Sequence, residues 1–220
     1  CVEIIKAAAT GEFINYEGEI YSLQNYQADW LTCEAPLIYV GANGPSMLRM
    51  AGRVADGVML SDVPLSRMGE TREHMQAGMD AVGRSDALRV ANFFAWHIKE
   101  DRAAAVAEAR MEMIWRGLLQ PWHTEPFLGK DDAAFVDSNR DAFLQAFLQR
   151  SPDIDGIPER IIESLVDNLT FTGSPEDISA VAARLREFGE AGLDEVTLKV
   201  HGDADEAIRL IGEQLIPALN

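Results

Sequence analysis

Cysteine is nearly missing from this chain: only Cys1 and Cys33 occur among 220 residues. Two thiols are too few for a disulfide framework, and they lack the spacing of a metal-binding pair. No apolar run approaches the roughly 20 residues that cross a bilayer, and the first residues show no signal-peptide pattern. Basic residues are outnumbered, with 19 Lys and Arg against 36 Asp and Glu, for a formal net charge of −17. That balance argues against a nucleic-acid surface, because phosphate binding requires concentrated Lys and Arg. These absences predict a soluble, cytoplasmic protein that binds neither membrane nor nucleic acid.

What is present reads as an α/β chain. Hydrophobic residues make up 47% and charged residues 25%, ordinary values for a globular domain with a sizeable core. Hydrophobic periodicity predicts helix 2–10, a β-arm at 16–23, strand 37–41, helix 46–55, strand 57–61, helix 66–82, strand 88–98 and helix 101–119. An irregular helical region follows to 157, then helices 158–167 and 175–191, strand 194–200 and helix 203–219. Four strands each followed by a helix imply parallel pairing with right-handed crossovers. The acidic residues Glu159, Glu163, Asp167, Glu176 and Asp177 fall between helical apolar positions and read as solvated surface.

The richest stretch runs from Pro36 to Asp62. Leu37, Ile38, Tyr39 and Val40 are a short apolar strand of the kind buried on both faces of a parallel sheet. Gly41, Ala42, Asn43, Gly44 and Pro45 stop it, and Ser46 and Met47 open a helix. The two glycines permit positive φ and close approach of a ligand to the main chain. Pro45 suits the first helical position. The unpaired N–H groups of the first turn carry the positive end of the helix dipole and attract phosphate or carboxylate. The plain alternative is a glycine turn that merely joins strand to helix. Gly-x-x-Gly-Pro has neither the glycine spacing of a Rossmann fingerprint nor the lysine of a Walker loop. On these residues alone, 41–47 are either an anion-binding loop or a plain turn.

Three further strand ends carry polar groups. Ser61 and Asp62 follow strand 57–61, where Asp62 either meets a substrate or caps the helix near Ser66; capping is the favoured reading. Trp96 and His97 end strand 88–98, where they either line a mouth or fill the core. His201-Gly202-Asp203 follows the last strand, with Asp203 placed to cap the next helix. His123 and Glu125 are potential metal ligands, but two ligands do not make a site, and no metal site is assigned. No nucleophile triad or paired-carboxylate pattern is recognisable, so no catalytic residue is named.

Taken in order, Tyr39-Val40-Gly41-Ala42-Asn43-Gly44-Pro45, Met47-Leu48-Arg49, Ala51-Gly52 and Ala55-Asp56-Gly57-Val58 resemble the luciferase-like flavin and deazaflavin oxidoreductases. The likeness is strongest to the methylenetetrahydromethanopterin reductase-like, coenzyme F-420-dependent branch. Residues 11–19, and Gly173-Ser174-Pro175-Glu176-Asp177 with Ala191-Gly192-Leu193-Asp194-Glu195-Val196, extend it over most of the chain outside roughly 115–157. The resemblance implies strands five to eight of a (β/α)8 TIM barrel with a helical insertion around 115–157. It also implies one domain over 1–220 that lacks the first four strands; an open four-stranded sheet is the alternative without it. The uncapped start of the first helix fits a chain that continues upstream. By the same resemblance, residues 41–47 hold the phosphate arm of coenzyme F-420, or of FMN in a monooxygenase. The protein would then transfer a hydride between the deazaflavin and a small organic substrate. A non-catalytic half-barrel that assembles through open sheet edges is the rival reading, and those edges predict a homo-oligomer.

Overall fold

The computed structural model describes residues 1–219 and divides into two compact units, residues 1–59 with 73–89 and residues 60–72 with 90 onward. In the first unit, helix α1 (Val2–Ala8) is followed by Gly11 at φ 76. The predicted β-arm is an antiparallel hairpin of β1 (Ile14–Glu17) and β2 (Ser22–Tyr26), with Tyr16 opposite Leu23. Next comes β3 (Tyr39–Gly41), α2 (Pro45–Val54) and β4 (Gly57–Ser61). β3 and β4 pair in parallel, Tyr39 with Gly57 and Gly41 with Met59, as the sequence predicts. The strand starts two residues later than its apolar run suggests, and Leu37 is left exposed. Asp56 fixes that start: its carboxylate accepts the Ile38 N–H at 2.8 Å and the Lys6 ammonium at 2.5 Å.

Helix α3 (Met68–Asp80), preceded by a 3-10 turn at Leu65–Arg67, packs its later turns on α2. Gly52 and Gly78 are the reason the two backbones can touch. A Cβ at Gly52 would run into the Met75 carbonyl, and one at Gly78 into the Arg49 carbonyl. Arg84 closes the carboxyl end of α2, donating to the carbonyls of Gly52 (3.1 Å) and Ala55 (2.5 Å) while Asp86 holds its guanidinium. A cation there satisfies orphan carbonyls and the negative end of the dipole.

The spine of the second unit is β5 (Arg89–Ile98). The backbone bond from Asp62 N–H to Phe93 O lays the end of β4 beside it. Helix α4 (Arg102–Met111) is capped by Asp101, whose carboxylate accepts from Ala103 and Ala104. The predicted helix 101–119 stops at Met111 and gives way to 3-10 turns at Met113–Trp115 and Gly117–Leu119. Gly117, Leu118 and Leu119 all have φ near +50°, a left-handed run no α-helix can contain.

The insertion is helical: α5 (Pro121–Leu128), α6 (Lys130–Ser138) and α7 (Arg140–Gln149). With α8 (Glu159–Leu169) they enclose a core containing Met113, Leu119, Val136, Phe143, Ile161 and Leu165. Strand β6 (Thr170–Gly173) was not expected, because α8 runs into it with no turn residue between them and the strand has only 4 residues. After α9 (Ile178–Glu190) comes β7 (Glu195–Val200). β5 pairs in parallel with β6 through Ala95–Ile98 and with β7 through Ala91–Trp96. Phe94 meets Phe171 edge to face at 5.0 Å, a favoured aromatic geometry, and Phe188 in a tilted contact at 5.2 Å. The terminal helix, α10 (Ala204–Leu210) to α11 (Ile216–Leu219), contains a π-turn at Ile211–Leu215. Asp203 caps α10 by accepting the Glu206 N–H, as predicted.

Candidate functional site

In the first unit, residues 41–47 sit at the carboxyl end of β3. Gly44 is the residue before α2 and Pro45 takes the first helical position, as expected. The backbone corrects one expectation. Gly44 is extended (φ −87, ψ 153), and neither Gly41 nor Gly44 has positive φ. The space beside both is open: a Cβ on either would meet no atom within 4 Å. The Ala42 N–H is spent on Met59 O at 3.1 Å, and the first bond within the helix is Leu48 N–H to Gly44 O at 3.0 Å. The N–H groups of Ser46 and Met47 therefore have no acceptor within the helix, and both residues are exposed. Asn43 lies between them and the strand, partly buried.

In the second unit the strand ends carry a different chemistry. Asp62 does not cap a helix. It is buried with φ 53, accepts from the Ser61 hydroxyl at 3.1 Å, and pairs with buried Arg116 at 3.1 Å. Burial pushes its carboxyl upward, and Arg116 only partly opposes this. The capping expectation failed because Arg116 stands 54 positions along the chain, so no local signal announces the partner.

Trp96 and His97 are both buried, pointing to opposite faces of β5 as successive strand residues do. Trp96 belongs to the core. His97 Nδ1 lies 2.7 Å from a Glu108 oxygen, and the other Glu108 oxygen accepts from Lys99 at 2.6 Å. Burial alone would raise the Glu108 carboxyl, but the bonds from His97 and Lys99 override it and hold it at about 2. An ionised carboxylate only accepts, so the proton sits on His97 Nδ1 and Nε2 carries the lone pair. Burial keeps the His97 ring neutral despite Glu108. His201 stacks on it, centroids 4.4 Å apart and planes at 28°, and burial next to His97 lowers its own value to about 4. Sequence reading singled out His97 and noted His201 but missed Lys99, which directly follows β5, and Glu108 and Arg116, which come from α4 and the turn after it.

His123, on α5, is wholly buried against Gly117 and Trp122, with neither ring nitrogen paired to protein. Burial, then the Arg67 charge, lowers it to about 4. A ring that titrates near 6.5 when unfolded but near 4 when folded leaves stability intact above pH 6.5 and erodes it as pH falls toward 4. The ceiling on that loss is about 3 kcal/mol, at 1.36 kcal/mol per pKa unit. Chemical denaturation at pH 7 and pH 4.5 should therefore show a smaller pH loss for His123→Phe than for the wild type. An identical loss in both proteins would remove His123 as the source.

No helix among the described residues is long and apolar enough to cross a membrane. The Luciferase-like monooxygenase family matches residues 1–195. The 5,10-methylenetetrahydromethanopterin reductase of Archaeoglobus fulgidus is 28% identical over 99% of this chain and 64% of its own length. The F-420-dependent glucose-6-phosphate dehydrogenase of Nakamurella multipartita is 25% identical over 99% of the chain and 58% of its own. Among solved structures, the coenzyme F-420-dependent tetrahydromethanopterin reductase of Methanopyrus kandleri superposes with a TM-score of 0.75 at 21% identity. That superposition covers 99% of this chain and 61% of that one. The chain thus spans less than two-thirds of each of these relatives, and its parallel α/β fold matches that of the solved relative. With the family match running through both units, the chain belongs to the luciferase-like monooxygenase family.

Proposed function

We propose that the protein is an oxidoreductase that moves a hydride between coenzyme F-420 and a small organic substrate, with residues 41–47 receiving the cofactor's phosphate arm. The observation that carries this is the open space over Gly41 and Gly44 beside the exposed first turn of α2. A phosphate needs that combination: N–H donors without partners, the positive end of a dipole, and no side chain between backbone and ligand. Ser46 and Met47 supply the N–H groups, and the Ser46 hydroxyl adds a donor at the same end. Pro45 starts the helix without presenting a competing N–H. These short-range donors work against a net charge of −17, whose field is screened beyond about 8 Å at physiological ionic strength. The bound deazaflavin supplies the hydride chemistry, and the chain's part is to hold and orient it.

The relatives named above support F-420 over other carriers, and their different substrates leave the substrate class at small organic molecules. The same loop suits the phosphate of FMN, and the monooxygenase character of the family favours that as the second reading. In this reading the chain is the strand five to eight portion of a (β/α)8 barrel. Gly44→Val tests the loop cleanly, because its backbone is extended and the added side chain meets only open space. The variant should fold and still obstruct a ligand. In fluorescence titrations, at least tenfold weaker binding of F-420 or FMN is expected, about 1.4 kcal/mol. Equal affinity of the folded variant and the wild type for both cofactors would overturn the assignment.

A further inference from the structure

His97, Glu108 and His201 come from the end of β5, the middle of α4 and the residue after β7. One ring nitrogen from each histidine and one Glu108 oxygen lie within 4.8 Å of one another. We propose that these three residues form a divalent transition-metal site, of the class that takes Zn2+ or Co2+. Two imidazoles and a carboxylate are the donor set of many mononuclear sites with an open position. A metal at about 2.1 Å from each donor needs the cluster to tighten by about an ångström.

Independent observations point to a ligand here. The Nε2 atoms of both His97 and His201 are buried with no protein partner, and His97 is wholly inaccessible. An unpartnered ring nitrogen at such a position is costly unless something binds it. Glu108 cannot both accept from His97 Nδ1 and join Nε2 on one ion, so coordination would replace that hydrogen bond. Glu108 and His201 also line a cavity of about 470 Å³, with Met111 and Phe147 among its other walls, which gives a path for the ion and room for a water ligand.

Lys99 opposes the cation. Its ammonium sits 2.6 Å from Glu108 but is partly exposed, so it can release the carboxylate oxygen to a metal and turn to solvent. The site therefore makes two opposite predictions for neighbouring residues: losing His201 weakens binding, and losing Lys99 strengthens it.

The test is a titration of the protein with Co2+ and Zn2+, in a Cys1→Ser, Cys33→Ser background because both thiols are exposed and could bind metal themselves. One Co2+ per chain with visible ligand-field bands is expected, at least tenfold weaker in His201→Gln and in Glu108→Gln, and tighter in Lys99→Met. On the protein with His97, Glu108 and His201 intact, Co2+ should shift the ring resonances of His97 and His201 before those of His74. That readout does not depend on any site variant folding. Absence of stoichiometric binding, shifts at other histidines first, unchanged affinity in folded His201→Gln, or weaker binding in Lys99→Met would each overturn the proposal.

Discussion

Arg116→Met should cost about 3–5 kcal/mol of folding stability, because it strands the buried Asp62 carboxylate without its counter-ion. The side chains are 3% and 1% exposed, so water cannot replace the lost partner. Burial already pushes the Asp62 carboxyl upward with Arg116 in place. Without the guanidinium it should rise further and take up a proton on folding. The stability lost in the single variant should therefore be smaller at pH 4 than at pH 7. The double variant Asp62→Leu, Arg116→Met removes both charges and should recover most of the loss, since buried pairs are often replaced by apolar side chains without penalty. A loss under 1 kcal/mol for Arg116→Met would mean that this pair is not dry. No recovery in the double variant would mean that packing, and not charge, is what Arg116 provides.

Gly78→Leu should be about as damaging, near 4 kcal/mol, by a different route. A side chain there meets the Arg49 backbone carbonyl on α2, and backbone cannot rotate away as a side-chain tip can. The two helices would have to separate, opening voids between them, and overpacking of this kind lies at the upper end of its usual cost. Gly52→Leu meets the Met75 carbonyl and should behave alike. Gly69→Leu is the control: it lies in the same helix, and nothing is within 4 Å of its Cβ direction. Urea denaturation of the three variants settles the matter. Similar midpoints for Gly69→Leu and Gly78→Leu would refute the close approach of α2 and α3.

The local pattern alone determined the parallel strands at 37–41, 57–61, 88–98 and 194–200, each to within two residues. Their apolar runs are bounded by glycine, proline and charge, and such signals need no distant partner. The loop at residues 41–47 was legible for the same reason, since a glycine turn ahead of a proline-started helix is written within a few residues. β6 was not legible, because it follows α8 without punctuation and is a strand only through its pairing with β5. Gly41 and Gly44 were read as permitting positive φ, which neither adopts, and the open space beside them is a property of what surrounds a residue. The role of Asp62 depended on Arg116, and the grouping of His97, Glu108 and His201 depended on three elements converging at strand ends. Sequence spacing encodes periodicity along one element. Buried charge pairs and ligand clusters are fixed by which elements pack together, and only the tertiary structure decides that.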